Sequence, residues 1–594
     1  MKSTPILAGV LACATAVSVT ASSTTGSAAS AATSSDRKPA ILLDQGWSPH
    51  QRDVYYYTSQ GALIMPAAFM EALQDAGPQG GRFMAPENLA RLGVIPGQAS
   101  AMNPYGWPPG FAIDTQSKDG IPRVGLTCAF CHTGQIEYHG QSVRIDGGAA
   151  NIDSRGFAEA MGHAVIATGK DPQRRARFLE AVIRLGYPAA RAADDFDNLY
   201  DRMLRASPAA PVDMAKSTPP GPGRQDAFNS IAANIFVRAL DEKSNTRAAD
   251  APVNYPYVWD MWLFDYTQYN ASQRQPMGRD IVEAIGHVGV LGFLDPVTGV
   301  VLPEPDRWRT TIRPRNLYAI RQVLDTLKPP PWPEAVLGKI DQAKAEQGRA
   351  LFAQNCAGCH GIKLIKGTAN PVEWHVPVIR LDKIGTDTAS SLAFAGARFD
   401  ASKLGLSKQA SVAQVSFVVV NAIKRQAYLD AGIPGSEWAK YDGFGRKDTA
   451  DPDPCGYKAR PLIGTWATPP FLHNGAVRTI YDLLSDTRPT SFVFGGTEYD
   501  PQKLGFTQDA GPGTIVLDTK LTGNSNAGHW FTDDATRPGR TGRGFTEPEK
   551  YAIIEYLKAA TPADYPTVQI DPPGPAPCAD NPEWAKNWPA MRSN

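Results

Sequence analysis

Two pentapeptides constrain this chain more than anything else in it: Cys128-Ala-Phe-Cys131-His132 and Cys356-Ala-Gly-Cys359-His360. Two thiols three residues apart share one helical turn and reach the two vinyl positions along one porphyrin edge. The residue that follows then presents an imidazole beneath the iron, so C-x-x-C-H reads as covalent attachment of a c-type haem. At this cysteine and histidine content chance supplies roughly 0.001 such motifs per chain. Three other uses of the same residues fit less well. A zinc site needs two more ligands for each motif, and none stands nearby in sequence. A thioredoxin-type pair needs a βαβ setting. A disulfide between cysteines three apart is the third. The pattern predicts two covalently bound haem c groups, attached through Cys128, Cys131, Cys356 and Cys359, with His132 and His360 as iron ligands.

Composition sets the surroundings. The 594 residues carry 59 Lys+Arg against 59 Asp+Glu. Zero net charge argues against a nucleic-acid partner and against a polybasic membrane patch. At 42% hydrophobic and 20% charged the chain buries a large core. Gly 54 and Pro 50 make up about a sixth of it, against about 12% in average usage, which predicts long, turn-rich connections. No repeat of 20–50 residues is visible, so solenoids and propellers are excluded. Lys2, the mostly apolar run Pro5–Val19 and the small-x-small Ala29-Ser30-Ala31 mark residues 1–31 as a cleaved signal peptide. A lipoprotein signal ending at Cys13 is the rival. No stretch reaches 18 apolar residues, so the expectation is no membrane span and a periplasmic or secreted protein, where disulfides are permitted. Cys455 and Cys578, each behind a Pro-rich flank, are then expected to form one disulfide tying the tail to the second domain.

The run Lys328-Pro-Pro-Pro-Trp-Pro333 divides the chain. It predicts an N-terminal haem domain over 37–327, a Pro-rich linker over 328–335 and a C-terminal haem domain over 336–594. Ala345, Gly348, Leu351 and Phe352 recur at helical spacing just before the second motif. Thr546-Glu-Pro-Glu549 is a capping box opening a helix that carries Ile553, Ile554 and Leu557 and ends near Ala560. This terminal helix is expected to cross the first one at the haem edge. The first motif follows an extended segment instead, Ile121–Gly125. Further helices are expected at Pro66–Ala76, Pro172–Leu185, Gln225–Leu240, Arg315–Leu327 and Phe417–Tyr428, with a strand at Ser142–Asp146. The expected fold class is mainly α: two cytochrome c-like haem domains with extensive loops and few short strands.

These residues, with the runs Gly125–Ile136, Ile145–Gly148, Gly223–Asn229, Tyr457–Leu462, Trp466–Gly475 and Gly523–His529, resemble bacterial dihaem cytochromes of the cytochrome c peroxidase superfamily, in the branch that contains the rubber oxygenases. The resemblance implies a division of labour: a low-spin electron-transfer haem in the C-terminal half and a catalytic N-terminal haem open to peroxide or O₂. It implies His529 as the second protein ligand of the C-terminal iron, with His473 as runner-up. Around the N-terminal haem Trp259 matches an active-site Trp of the rubber oxygenases, with Phe264, Tyr269 and Met277 as further candidates. Those enzymes place a bulky Phe over the iron some fifteen residues later. Here that region reads Ser272-Gln-Arg-Gln-Pro-Met277. Gln273 and Arg274 are therefore read as catalytic residues suited to peroxide cleavage, where charge develops on the departing oxygen. The expected function is an exported dihaem oxidoreductase, peroxidase-like, taking a small-molecule oxidant and an electron donor or organic substrate that the sequence does not name. Calcium is left open as a further cofactor. The alternatives are a rubber oxygenase-type dioxygenase, a non-catalytic dihaem electron carrier, and a haem module of a larger complex.

Overall fold

The computed structural model describes residues 39–77, 81–206, 212–274, 276–286, 291–295, 298, 300–303, 306–368, 372–443 and 455–573. The signal-peptide segment and Cys578 lie outside the described residues. Cys455 is disulfide-bonded.

Of the described residues 39% are helical and 16% strand, which corrects the mainly α expectation. The strands were underestimated because they are short. Ten small sheets are present among the described residues, none wider than three strands. Most of their strands run two to four residues, too few for an alternating pattern to register. From Pro39 onward the described residues form one compact unit. Its largest core cluster draws on both sides of the Pro-rich run, joining Tyr55, Val143 and Trp259 to Phe352, Trp466 and Ile553. Trp332, inside that run, is itself buried and packs edge-on against Trp466, with ring centroids 5.1 Å apart. Trp466 Nε1 donates to the Pro330 carbonyl at 3.2 Å. Two further clusters sit beside it, one around Phe69, Phe111 and Phe157, the other around Phe236, Met277 and Val419.

Each attachment motif is a single turn placed by a different neighbour. Strand Arg123–Leu126 leads into the turn Cys128–Cys131, whose first amides are capped by Thr127. Strand Thr133–Tyr138 leaves it and pairs antiparallel with Gln141–Asp146. His139 and Gly140 turn this hairpin with φ of 48° and 75°, the positive values that a two-residue hairpin turn requires. The second turn, Ala357–His360, follows directly from the helix Gln342–Asn355, as expected. That helix buries Ala345, Gly348 and Phe352 against the terminal helix Glu547–Ala559. A Cβ on Gly348 would lie 1.9 Å from the Ala552 carbonyl oxygen, so only glycine allows the two backbones this close. The Thr546 amide donates to Glu549 at 2.9 Å, the capping box read from the sequence. Of the other expected helices, Pro172–Arg184, Pro314–Leu324 and Val412–Asp430 form with small boundary shifts. Gln225–Leu240 becomes an α-helix over Ala227–Ala232 that continues as a π-helix over Ala233–Ala239.

Candidate haem sites

His132 emerges from its turn with Nδ1 2.7 Å from the Pro256 carbonyl. His360 has the same relation to the Arg460 carbonyl, at 2.8 Å. A carbonyl only accepts, so in both rings Nδ1 carries the proton and Nε2 carries the lone pair. A hydrogen bond of this kind fixes the tautomer and raises the donor strength of a ligating imidazole.

Beyond this common start the two sites differ. Cys128, Cys131 and His132 line a cavity of about 180 Å³. One wall is apolar: Ile231, Ile235 and Phe236 from the α-to-π helix, Leu317 and Ile320, and Phe394. The other is polar. Gln268 Nε2 donates to Glu283 at 3.0 Å, and Arg279 is bound to Asp280 through Nε at 2.9 Å. Burial, reinforced by the Asp280 carboxylate, holds Glu283 above the usual carboxylate range, against the pull of Arg279 and the Gln268 hydrogen bond. Lys458, which faces this cavity with its amine 5.7 Å from the Phe264 ring centroid, is driven well below the ordinary lysine range by burial and by Arg460 and Arg279. Three guanidiniums line the cavity, Arg279, Arg321 and Arg460, and only Arg279 is paired there with a carboxylate, that of Asp280. An excess of buried positive charge calls for an anionic partner. A haem brings two propionates and a large apolar face, so the lining fits that group in both charge and polarity.

At the second site the partner of His360 is another imidazole. The His529 ring centroid lies 6.1 Å from that of His360, with the planes 54° apart. An imidazole nitrogen stands about 1.1 Å from its ring centroid and bonds a metal at about 2.0–2.1 Å, so one metal between two rings sets their centroids about 6.2–6.4 Å apart. The observed spacing fits one iron held from both sides. Nδ1 of His529 is buried and has no hydrogen-bond partner among the described residues. Burial, with His360 and Arg488 nearby, lowers the ring to about 3, which keeps it neutral and able to ligate. The backbone is built to bring it there. His529 has φ of 49°, its amide donates to Ile384 at 2.8 Å, and its carbonyl accepts from Arg488 at 3.0 Å. A Cβ on the preceding Gly528 would lie 2.2 Å from the Gly385 carbonyl carbon. His473, the runner-up, stacks on Tyr457 at 3.8 Å and 19°.

The residues read as distal candidates are only partly brought together. Phe264, Tyr269 and Gln273 line the first cavity. Trp259 does not; it is fully buried behind Tyr257, stacked at 4.3 Å and 8°. Arg274 turns away to lie 5.7 Å from the Tyr266 centroid, beside a separate void of about 10 Å³. Met277 packs in the core around Phe236. Sequence reasoning assigned no role to Glu283, Gln268, Lys458 or Arg460, although the last two stand in the run Tyr457–Leu462. Among the described residues no group of three or more His, Cys, Asp or Glu is arranged to hold a metal ion, and no helix is long and apolar enough to cross a membrane.

Comparison with known proteins adds three findings. Residues 456–493 match the family model described as "RoxA-like, cytochrome c-like". This stretch holds Lys458, Arg460, Trp466 and His473. The chain is similar to "Uncharacterized protein y4iJ" of Sinorhizobium fredii, 35% identical over 570 residues, covering 87% of this chain and 92% of that protein. It is also similar to "Uncharacterized protein y4iM" of the same organism, 28% identical over 362 residues, covering 58% and 73%.

Proposed function

The chain belongs to the family of the Sinorhizobium fredii protein y4iJ and contains a RoxA-like cytochrome c domain, and on that premise we propose that this haem oxidoreductase is an exported dihaem enzyme that reduces peroxide at the site of His132. When bound, each haem supplies a redox iron whose role follows from ligation and access. His360 and His529 would together hold the second haem iron, which would suit that site to electron transfer rather than to binding substrate. At the first site His132 lines a cavity, and the observation that carries the reading is the Glu283–Gln268 pair in the cavity wall. Burial shifts the Glu283 carboxyl toward its protonated form. Such a group donates that proton to the departing oxygen of a peroxide, and an amide beside it orients the acid. Glu283 and Gln268 thereby take the part that the sequence assigned to Arg274. Gln273 remains at the cavity as a further polar contact. Two electrons from an external donor and two protons complete the reduction of hydrogen peroxide to two waters.

The apolar wall of Ile231, Ile235, Phe236 and Phe394 favours a second reading, O₂-dependent cleavage of an apolar chain. One set of measurements separates them. A pyridine haemochrome assay should give two haems per chain, and electron paramagnetic resonance one high-spin and one low-spin centre. Glu283→Gln should lower kcat/KM for peroxide by about 10²-fold and leave the low-spin signal unchanged. Aldehydes and ketones released from polyisoprene latex by wild type, with no peroxide turnover, would select the second reading. Two low-spin centres would make the protein an electron carrier.

A further inference from the structure

The carbonyls that orient the two motif histidines belong to two segments that are locked to each other. Pro256 accepts from His132 and is followed by Tyr257. Arg460 accepts from His360 and is followed by Pro461. The Arg460 guanidinium lies 3.4 Å from the Tyr257 ring centroid, and its Nη1 donates to the Tyr257 carbonyl at 3.1 Å. The Tyr257 hydroxyl donates back to the Pro461 carbonyl. Trp259 stacks on Tyr257 at 4.3 Å, so guanidinium and indole occupy opposite faces of the phenol. Trp259 Nε1 then donates to the Ile463 carbonyl at 2.9 Å. The result is a three-layer stack with four polar or ionic contacts across segments 256–259 and 460–463. Tyr257, Trp259 and Ile463 are all buried.

Core packing alone would not require that both histidine-binding carbonyls lie within this stack. We infer that Arg460, Tyr257 and Trp259 form a clasp that positions both carbonyl acceptors at once, so that the ligand strength of His132 and of His360 is set jointly. The inference rests on the dihaem reading above. These are positioning residues: Arg460 reaches His132 only through Tyr257 and Pro256, and Trp259 reaches both histidines through Tyr257. Physically, a carbonyl held firmly on Nδ1–H makes the imidazole a stronger donor and favours the oxidised iron. Slackening the clasp weakens both hydrogen bonds together.

The test uses the full-length, haem-loaded protein and reads the reduction midpoint of each haem by spectroelectrochemistry. Tyr257→Phe keeps the aromatic stack, changes no charge and removes the hydroxyl bond to Pro461. It should move both midpoints upward. Arg460→Met should displace both midpoints, and Arg460→Lys, which restores the charge but not the planar stack, should leave both displaced. Full recovery by lysine would mean a through-space charge effect and overturns the clasp. So does a shift confined to one haem, or none at either. A haemochrome count of one haem per chain for wild type is a different failure: it removes the dihaem reading and this inference with it.

Discussion

At the first pentapeptide the imidazole leans on Pro256 and looks into a cavity of about 180 Å³. At the second it leans on Arg460 and looks at another imidazole 6.1 Å away. The motif and the hydrogen bond behind the histidine are the same, so neither decides what the site does. The difference lies in what else the fold brings to the site: a helix that puts Glu283 in the cavity wall in one case, a glycine-supported loop that brings His529 to the histidine in the other. The local settings also differ. A hairpin follows the first turn, while a glycine-notched helix crossing precedes the second.

Removing the sixth-ligand candidate tests this contrast most severely. His529→Ala should abolish the low-spin signal of the C-terminal haem, convert it to high spin and leave both haems attached, so that the two sites look alike. Visible and electron paramagnetic resonance spectra of the purified variant check it. A low-spin signal that survives in His529→Ala but vanishes in His473→Ala sinks the assignment.

A smaller effect is expected at the helix crossing that belongs to the second site alone. Gly348→Val forces side-chain carbon onto the Ala552 carbonyl. It should cost about 1–3 kcal/mol, the usual range for overpacking. Thermal unfolding should report a lower Tm, with the C-terminal haem spectrum disturbed before the N-terminal one. Equal disturbance of both spectra would contradict the local role given to this crossing.

The smallest effect concerns the cap of the terminal helix. Arg543, with the Thr546 amide, holds Glu549 down to about 2. A carboxylate lowered in the folded state stabilises above its unfolded value, about 4.3, and that stabilisation is lost as pH falls through the folded value. Because the pair is near the surface the contribution is at most about 1 kcal/mol. Wild type and Glu549→Gln should differ in Tm at pH 6 and converge by pH 2. A difference that persists at pH 2 would assign the effect to packing rather than to charge.

The contrast between the sites also marks where sequence reading succeeded. The helices that frame the second motif were legible: the one carrying Ala345 to Phe352, and the one opened by the capping box at Thr546 and Glu549. Each is encoded within a few residues. The first cavity was not, because its walls come from segments 225–236, 251–286, 317–324, 390–416 and 458–460, joined by no periodicity. Pro276 stands at the start of the buried helix Pro276–Gly286, where proline is well tolerated. Ser154–Lys170 was missed because Gly156, Gly162 and Gly169 interrupt its pattern. Trp259 drew notice by its context, yet neighbourhood in sequence does not say whether a ring faces a cavity or stacks behind one that does.

The hydrogen bonds behind the two histidines also bear on the order in which the protein matures. Each pentapeptide is complete within five residues and needs no fold to be recognised by whatever attaches the porphyrin. The carbonyl that aims His132 lies 124 residues further along, and the one that aims His360 lies 100 residues further along. Attachment is thus a property of short unfolded chain, while orientation of the imidazole waits for contacts of high sequence separation, the slow class in folding. A nascent chain that ends between His132 and Pro256 would carry its first pentapeptide intact and lack the residue that tells His132 which way to point.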